Sequence, residues 1–192
     1  MKKRCILIRH AKTKGNDEKR YIGANTDEEL SKSGIEQAER RKDDILKLVT
    51  KNTQVFSSPM KRALQTAKLL FGDMSITVIK DLKETDFGLF EGKNYAELNG
   101  QRQYQEWIDS GGELPFPGGE SRAQFAARCV SAFQALELWK RREDCAIVAH
   151  GGTVMAIMEA CACPRGRYFD FQLRCGEGYA LSEDGSYQKL NA

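Results

Sequence analysis

The stretch that most limits what this chain can fold into is Cys5-Ile6-Leu7-Ile8-Arg9-His10-Ala11-Lys12-Thr13. An apolar run stops abruptly at an arginine and a histidine. A short run with this Ile and Leu content reads as a buried strand. In open α/β sheets, ligands bind just beyond the carboxyl ends of the strands. Arg9 and His10 therefore stand where such a sheet does its chemistry. The chain holds two histidines, and the second repeats the context in Cys145-Ala146-Ile147-Val148-Ala149-His150-Gly151-Gly152. Two strand exits, each closed by a histidine, are the main pointer to function.

The rest of the pattern supplies partners for these strands. A polar loop over 14–30 is long for a connection, and long loops are often functional. Ser33 is predicted as the N-cap of the next helix, with Gln37 near capping-box spacing. Ile35, Ala38, Ile45, Leu48 and Val49 mark that helix's inner face. A strand over 53–56 ends in Ser57-Ser58-Pro59, and Pro59 suits the first turn of a helix reaching Phe71. A third strand falls over 75–79, whereas 83–92 reads as neither element. A polar helix over 95–109 is broken by Ser110-Gly111-Gly112. The longest helix runs from Ser121 or Arg122 to near Arg142. A helix over 153–161 follows the His150 strand. Strands over 179–182 and 187–190 flank Asp184-Gly185, a hairpin signal. Alternating strands and helices predict an α/β fold, a three-layer α/β/α sandwich on a mostly parallel sheet. The hairpin would add antiparallel edge strands. One domain over 1–192 is expected, with the segment over 94–120 as a lid on the substrate side.

Composition narrows the partners. Lys and Arg number 30 against 27 Asp and Glu, a net charge of +3 with the signs interspersed, which makes no case for nucleic acid. No apolar run is long enough to span a membrane. The start Met1-Lys2-Lys3-Arg4 is basic like a signal peptide, but the apolar stretch after it is too short. A cytoplasmic protein is expected. Cys5, Cys129 and Cys145 sit where a thiol acts as a small hydrophobe. Cys161, Cys163 and Cys175 lack the paired spacing or neighbouring histidines of a zinc site. Reduced structural cysteines, with no metal and no cofactor, are expected. Nothing in the pattern assigns an oligomeric state.

The chemistry-bearing residues converge on an anion. A neutral imidazole has a free lone pair and can act as a nucleophile, and the Arg9 guanidinium pushes His10 towards that form. Arginine is also shaped to grip a phosphoryl group in bidentate fashion. Arg62 opens the helix after Ser57-Ser58-Pro59, and His150 precedes Gly151-Gly152-Thr153, where another helix begins. Helix N-termini favour anions. Two arginines, two histidines and two such termini make a cage for a dianion, if the fold brings them together. Taken singly, each has a plainer account: structural histidines, a solvated arginine on a helix, and solvated loop carboxylates at Glu84, Asp86 and Glu91.

At these residues the chain resembles the histidine phosphatases, the phosphoglycerate mutase-like superfamily. Arg9-His10-Ala11-Lys12-Thr13 with Asn16 resembles the family's Arg-His-Gly-(Glu/Gln)-Thr signature and its asparagine. Thr26-Asp27, Leu30-Ser31 and Gly34 to Ala38 follow the next block. Ser57 to Ala67 is similar to Ser-Ser-Pro-Leu-x-Arg-Ala-x-Gln-Thr-Ala. Leu82 to Gly92, Pro117-Gly118-Gly119-Glu120-Ser121 and Val148 to Gly152 complete the series. The resemblance implies that His10 attacks phosphorus and carries the phosphoryl group. It implies that Arg9, Arg62 and His150 hold the equatorial oxygens, that Asn16 and Gly151 contact the phosphate, and that Glu84 serves as acid and then base. Only the motif alignment selects Glu84 over Asp86 and Glu91. Ala11 departs from the signature glycine, which would matter if the position needs positive φ. Lys12 reverses a charge, and Phe90 replaces a tryptophan. By length the chain resembles the short phosphatase members, alpha-ribazole phosphatases among them, rather than the longer mutases. A small phosphorylated metabolite, alpha-ribazole 5'-phosphate or a comparable ester, is the implied substrate. Mutase-type phosphoryl transfer and a non-catalytic phospho-ligand binding module are the alternatives.

Overall fold

The computed structural model describes residues 4–140 and 142–191, so the basic start at Met1-Lys2-Lys3 lies outside the described residues. Six strands, β1 (Arg4–Arg9), β2 (Gln54–Ser57), β3 (Ile76–Val78), β4 (Cys145–Ala149), β5 (Gly178–Ser182) and β6 (Tyr187–Leu190), form one sheet in the order β3-β2-β4-β1-β5-β6. The first four are mutually parallel. β5 and β6 join as an antiparallel hairpin beside β1. The fold is thus the expected α/β sandwich with antiparallel edge strands.

Strand alternation sorts the core into two layers. Cys5, Leu7, Cys145 and Ile147 face one side, where they meet α6 (Arg122–Ala135) and α7 (Gly151–Cys161) through Phe125, Cys129, Phe133 and Met158. Ile6, Ile8, Ala146 and Val148 face the other, against α2 (Lys32–Leu46) and α3 (Lys61–Phe71) through Ile45, Ala63, Ala67 and Leu70. Helices on both faces explain why β1 and β4 read as continuous apolar runs rather than alternating ones. Cys5, Cys129 and Cys145 are buried free thiols, and Met158 is core.

The strand order positions the site. The chain leaves β1, crosses to β2 and returns between them as β4. Register pairs Arg9 with Ala149 and Ser57 with Val148. The next residue of each strand, His10, His150 and Ser58, therefore emerges at one place. The His10 amide donates to the Ala149 carbonyl at 2.9 Å, and the Ser58 amide to the Val148 carbonyl at 2.9 Å.

Several local expectations are corrected. The N-cap of α2 is Ser31, whose hydroxyl accepts from the Gly34 amide; the Ser33 hydroxyl pairs with Ser31 instead. Gln37 makes no capping box, because it accepts from the Lys12 amide and donates to the Cys175 carbonyl. Ile35 is exposed rather than on the inner face. Pro59 precedes α3 rather than opening it, since Met60 is the N-cap. The polar loop contains a short helix, α1 (Lys14–Asp17). The polar helix over 95–109 is two helices, α4 (Tyr95–Leu98) and α5 (Arg102–Asp109), parted at Gly100 with φ of 81°. α6 stops at Ala135, because Glu137 turns left-handed (φ 47°) and folds Trp139 back beside Phe133. α7 starts at Gly151, two residues earlier than expected.

Candidate active site

His10 is 3% exposed, and its Nδ1 lies 2.7 Å from the Ala11 carbonyl. A carbonyl can only accept, so Nδ1 carries the proton and Nε2 of the neutral ring holds the lone pair. Burial first, then the Arg62 and Arg9 charges, lowers the His10 pKa well below the ordinary histidine value, against the contrary pull of the Ala11 carbonyl. The ring is thus neutral, in one tautomer, with its nucleophilic nitrogen unspent. Its imidazole meets that of His150 edge to face, with centroids 5.1 Å apart. His150 is wholly buried. Burial, then Arg62, His10 and Arg9, lowers its pKa in the same direction. Its Nε2 bonds the Ser58 hydroxyl at 2.7 Å, while Nδ1 is buried without a partner.

Both arginines are fixed by backbone carbonyls. Arg62 lies on the first turn of α3 and is fully buried. Its Nη atoms donate to the carbonyls of Ile22, Gly23 and Thr26, which anchors the long polar loop to the site. Burial lowers its pKa, and the Glu84 carboxylate works against that. Arg9 donates to the Leu173 carbonyl and packs against Gly151, where a Cβ would stand 3.4 Å from the guanidinium. The Nε donors of Arg9 and Arg62 are, like His150 Nδ1, buried without a partner.

Of the three candidate acids, Glu84 alone reaches the N-terminus of α7. Its Oε2 accepts from the Gly152 amide at 3.1 Å and its Oε1 from the Thr85 amide at 2.9 Å. Glu91 is spent inside the loop, accepting from the Gly23, Asn25 and Phe87 amides and the Thr26 hydroxyl. Asp86 accepts from the Asn25 side chain and the Gly88 amide. Asn16 sits at the third position of α1 in a capping box with Thr13, and its Oδ1 also accepts from the Cys175 thiol at 3.5 Å. Its Oδ1 is therefore committed, which leaves the Nδ2 donor for an anion.

The three departures from the signature take ordinary places in the fold. Ala11 is fully buried and is not among the residues with positive φ. Lys12 turns outward to Asp17 at 3.4 Å. Phe90 is buried in an aromatic cluster with Tyr104 and Leu98.

A cavity of about 660 Å³ opens beside the site. Its lining includes Arg9, Glu84, Gly151 and Gly152, the rings of Tyr21, Phe87, Trp107, Phe116 and Tyr168, and the charged side chains of Arg20 and Arg122. Among the described residues, no group of three or more His, Cys, Asp and Glu is placed to hold a metal ion. No helix among the described residues is long and apolar enough to cross a membrane.

Residue-by-residue reading missed the supports. Ser58 holds His150, and the Thr66 hydroxyl accepts from the Ala11 amide and donates to the Arg62 carbonyl. Ser58 does carry a signal, as a polar residue at a strand exit beside two histidine exits. Thr66 is marked by its place in the segment from Ser57 to Ala67 and by lying one helical turn past Arg62.

A profile of the histidine phosphatase superfamily, branch 1, matches residues 5–190. Phosphoglycerate mutase-like protein 4 of Arabidopsis thaliana is 30% identical over 160 residues, 80% of this chain and 69% of its own. Among solved structures, phosphoserine phosphatase from Entamoeba histolytica, in complex with 3-phosphoglyceric acid, has a TM-score of 0.82 at 27% identity, covering 99% and 97% of the two chains. The alpha-ribazole phosphatase from Shigella flexneri shares the fold, with a TM-score of 0.81 at 24% identity over 98% and 96%.

Proposed function

Because this chain belongs to the histidine phosphatase superfamily, we propose that it hydrolyses phosphate monoesters without a metal, through a phosphohistidine on His10. The observation that carries the reading is the tautomer of His10: Nδ1 is tied to the Ala11 carbonyl and Nε2 is free to attack. A phospho-ligand sensor has no use for a neutral nucleophile prepared in this way.

The remaining roles follow from the donors. In phosphoryl transfer, charge spreads over the three equatorial oxygens. Arg9 Nε, Arg62 Nε and His150 Nδ1 are buried without partners, and a buried donor is costly to leave unmade. Oxygens of a phosphoryl group satisfy all three, with Asn16 Nδ2 and the Gly151 end of α7 as further contacts. Glu84 protonates the leaving oxygen and then takes a proton from the water that releases phosphate. Uncatalysed hydrolysis of such esters is slow enough that the site must supply roughly 20 kcal/mol. Donors fixed in advance and a covalent intermediate are means of that size.

The substrate in this reading is a small phosphorylated metabolite. The ring-lined cavity favours a leaving alcohol that carries a flat apolar group, and alpha-ribazole 5'-phosphate is one such ester. The segment over 94–120, which brings Trp107 and Phe116, acts as the lid of a single domain spanning the chain.

Phosphate release from p-nitrophenyl phosphate in EDTA, wild type against His10→Ala, tests the proposal. EDTA-resistant release that His10→Ala abolishes, with acid-labile label on His10 after quenching, is expected. Release that survives His10→Ala, or that EDTA abolishes, sinks it. Transfer of the trapped phosphoryl group to phosphoglycerate faster than to water would favour the mutase.

A further inference from the structure

Arg128, on the second turn of α6, spends three of its five N–H donors on the segment that carries Glu84 and the other two on Glu120. Nη1 donates to the Asp81 carbonyl at 2.8 Å and to the Lys83 carbonyl at 3.1 Å. Nη2 donates to the Glu84 carbonyl at 3.2 Å and to Glu120 Oε2 at 2.7 Å, and Nε donates to Glu120 Oε1 at 2.9 Å. Glu120 then reaches past Glu84 to accept from the Asp86 amide at 3.0 Å. The backbone on both sides of Glu84 is thus held by one ion pair. Side-chain exposures of 22% and 24% set this pair apart from a solvated surface bridge.

We propose that the Arg128–Glu120 pair is the positioning device for the proton donor Glu84. The inference rests on the reading of Glu84 as acid. In the first step the His10 Nε2 lone pair forms the N–P bond while the P–O ester bond breaks. The electrons of that bond stay on the leaving oxygen, which takes the proton from the Glu84 carboxyl. An alcohol leaves and Glu84 becomes a carboxylate. The proton must be delivered along a short, aimed hydrogen bond, and a misplacement of about 1 Å costs on the order of a hundredfold. The Glu84 side chain has two chi angles before its carboxyl group, so only a fixed backbone makes its contacts at Thr85 and Gly152 reproducible. Lysine cannot substitute for Arg128: it has three donors around a point, whereas the guanidinium is a planar fork that meets one carboxylate and three carbonyls at once.

The device acts through a proton, so its loss has a signature that simple loosening lacks. A good leaving group needs no acid and a poor one does. The experiment measures kcat/KM, which reports the transfer to His10, for a series from dinitrophenyl phosphate through phenyl phosphate to an alkyl phosphate. Wild type, Glu84→Gln, Arg128→Lys and the double variant are compared. Arg128→Lys should lose about tenfold or more on the alkyl ester and less than about threefold on the dinitrophenyl ester, the pattern of Glu84→Gln in weaker form. The double variant should lose no more than Glu84→Gln alone, since the arginine acts through that carboxyl. Should Arg128→Lys fail to fold, Glu120→Gln serves: both Glu120 oxygens accept from Arg128, so in either orientation its amide sets an NH2 against an Arg128 donor, and the same selectivity is expected. Equal losses across all leaving groups, or additive losses in the double variant, overturn the proposal. Glu84→Gln without leaving-group selectivity overturns it as well, by removing the acid. Activity that survives His10→Ala would instead strike the phosphohistidine reading.

Discussion

At the scale of single residues, burial and neighbouring charge disfavour protonation of two imidazoles. His10 and His150 are buried, and two guanidinium groups face them, so both are held neutral where free histidine would titrate. The same shifts bear on stability, and the sign is determined. Below an unfolded value of about 6.5, the unfolded chain takes up two protons that the folded chain refuses. Stability therefore falls as pH drops through that range, and continues to fall towards the lowered folded values. Melting temperatures measured from about pH 7.5 down to about pH 5 should decline in the wild type. His150→Gln, which removes one of the two groups, should flatten the decline. Parallel slopes would mean that carboxylates, not the histidines, set the acid limit. Activity governed by His10 should also persist on the acid side of the ordinary histidine range, because the nucleophile stays unprotonated there.

At the scale of elements, packing against the site decides which residues are tolerated. Gly34, in the first turn of α2, lies where a Cβ would stand 2.0 Å from the Lys12 carbonyl oxygen and 3.0 Å from the Lys12 amide nitrogen. Both neighbours are backbone, so neither can turn away. Gly34→Ala should cost about 1–3 kcal/mol, read as a lower denaturant midpoint. It should also lower kcat/KM, because Lys12 is two residues from His10. An unchanged midpoint would mean that α2 slides freely over that loop. Elements of this kind were unevenly legible. The continuous apolar runs of β1 and β4 marked them as central strands, and the histidine that follows each was readable because no side chain competes with it for meaning. The α2 cap was misplaced because Ser31 and Ser33 look alike in sequence, and only the direction of the Gly34 amide separates them. The end of α6 was missed because Leu138 and Trp139 continue the apolar pattern while Glu137 reverses the chain. Arg128 was invisible for another reason: an arginine on a helix is ordinarily solvated, and only the folding of 81–84 and Glu120 against α6 gives it five acceptors.

At the scale of the whole molecule, the proposed function assigns phosphate chemistry and substrate choice to different parts of the fold. The cage is built from the exits of β1, β2 and β4, all inside the sandwich, where register sets the positions and little can vary. The cavity wall adds elements from outside it, the polar loop through Tyr21 and the stretch around α5 through Trp107 and Phe116, to Phe125 of α6 and Met155 of α7. These rings pack on one another: Trp107 stacks on Phe116 with centroids 4.9 Å apart, and Phe116 meets Phe87 edge to face at 4.9 Å. A flat apolar leaving group gains from such a surface, whereas phosphoserine, small and zwitterionic, gains little. Phe116→Ala should therefore raise KM for a phosphate ester bearing an aromatic ring by about tenfold, near 1.4 kcal/mol of lost ring contact. Its kcat should change little, because the cage and Glu84 are untouched. For phosphoserine, KM should stay within about twofold, since that substrate never used the ring. Steady-state kinetics with the two esters on wild type and variant decide the matter. A common rise in both values of KM would mean that Phe116 merely shapes the mouth of the site. A fall in kcat for both would mean that the wall and the cage are coupled, and that specificity is not separable from chemistry in this fold.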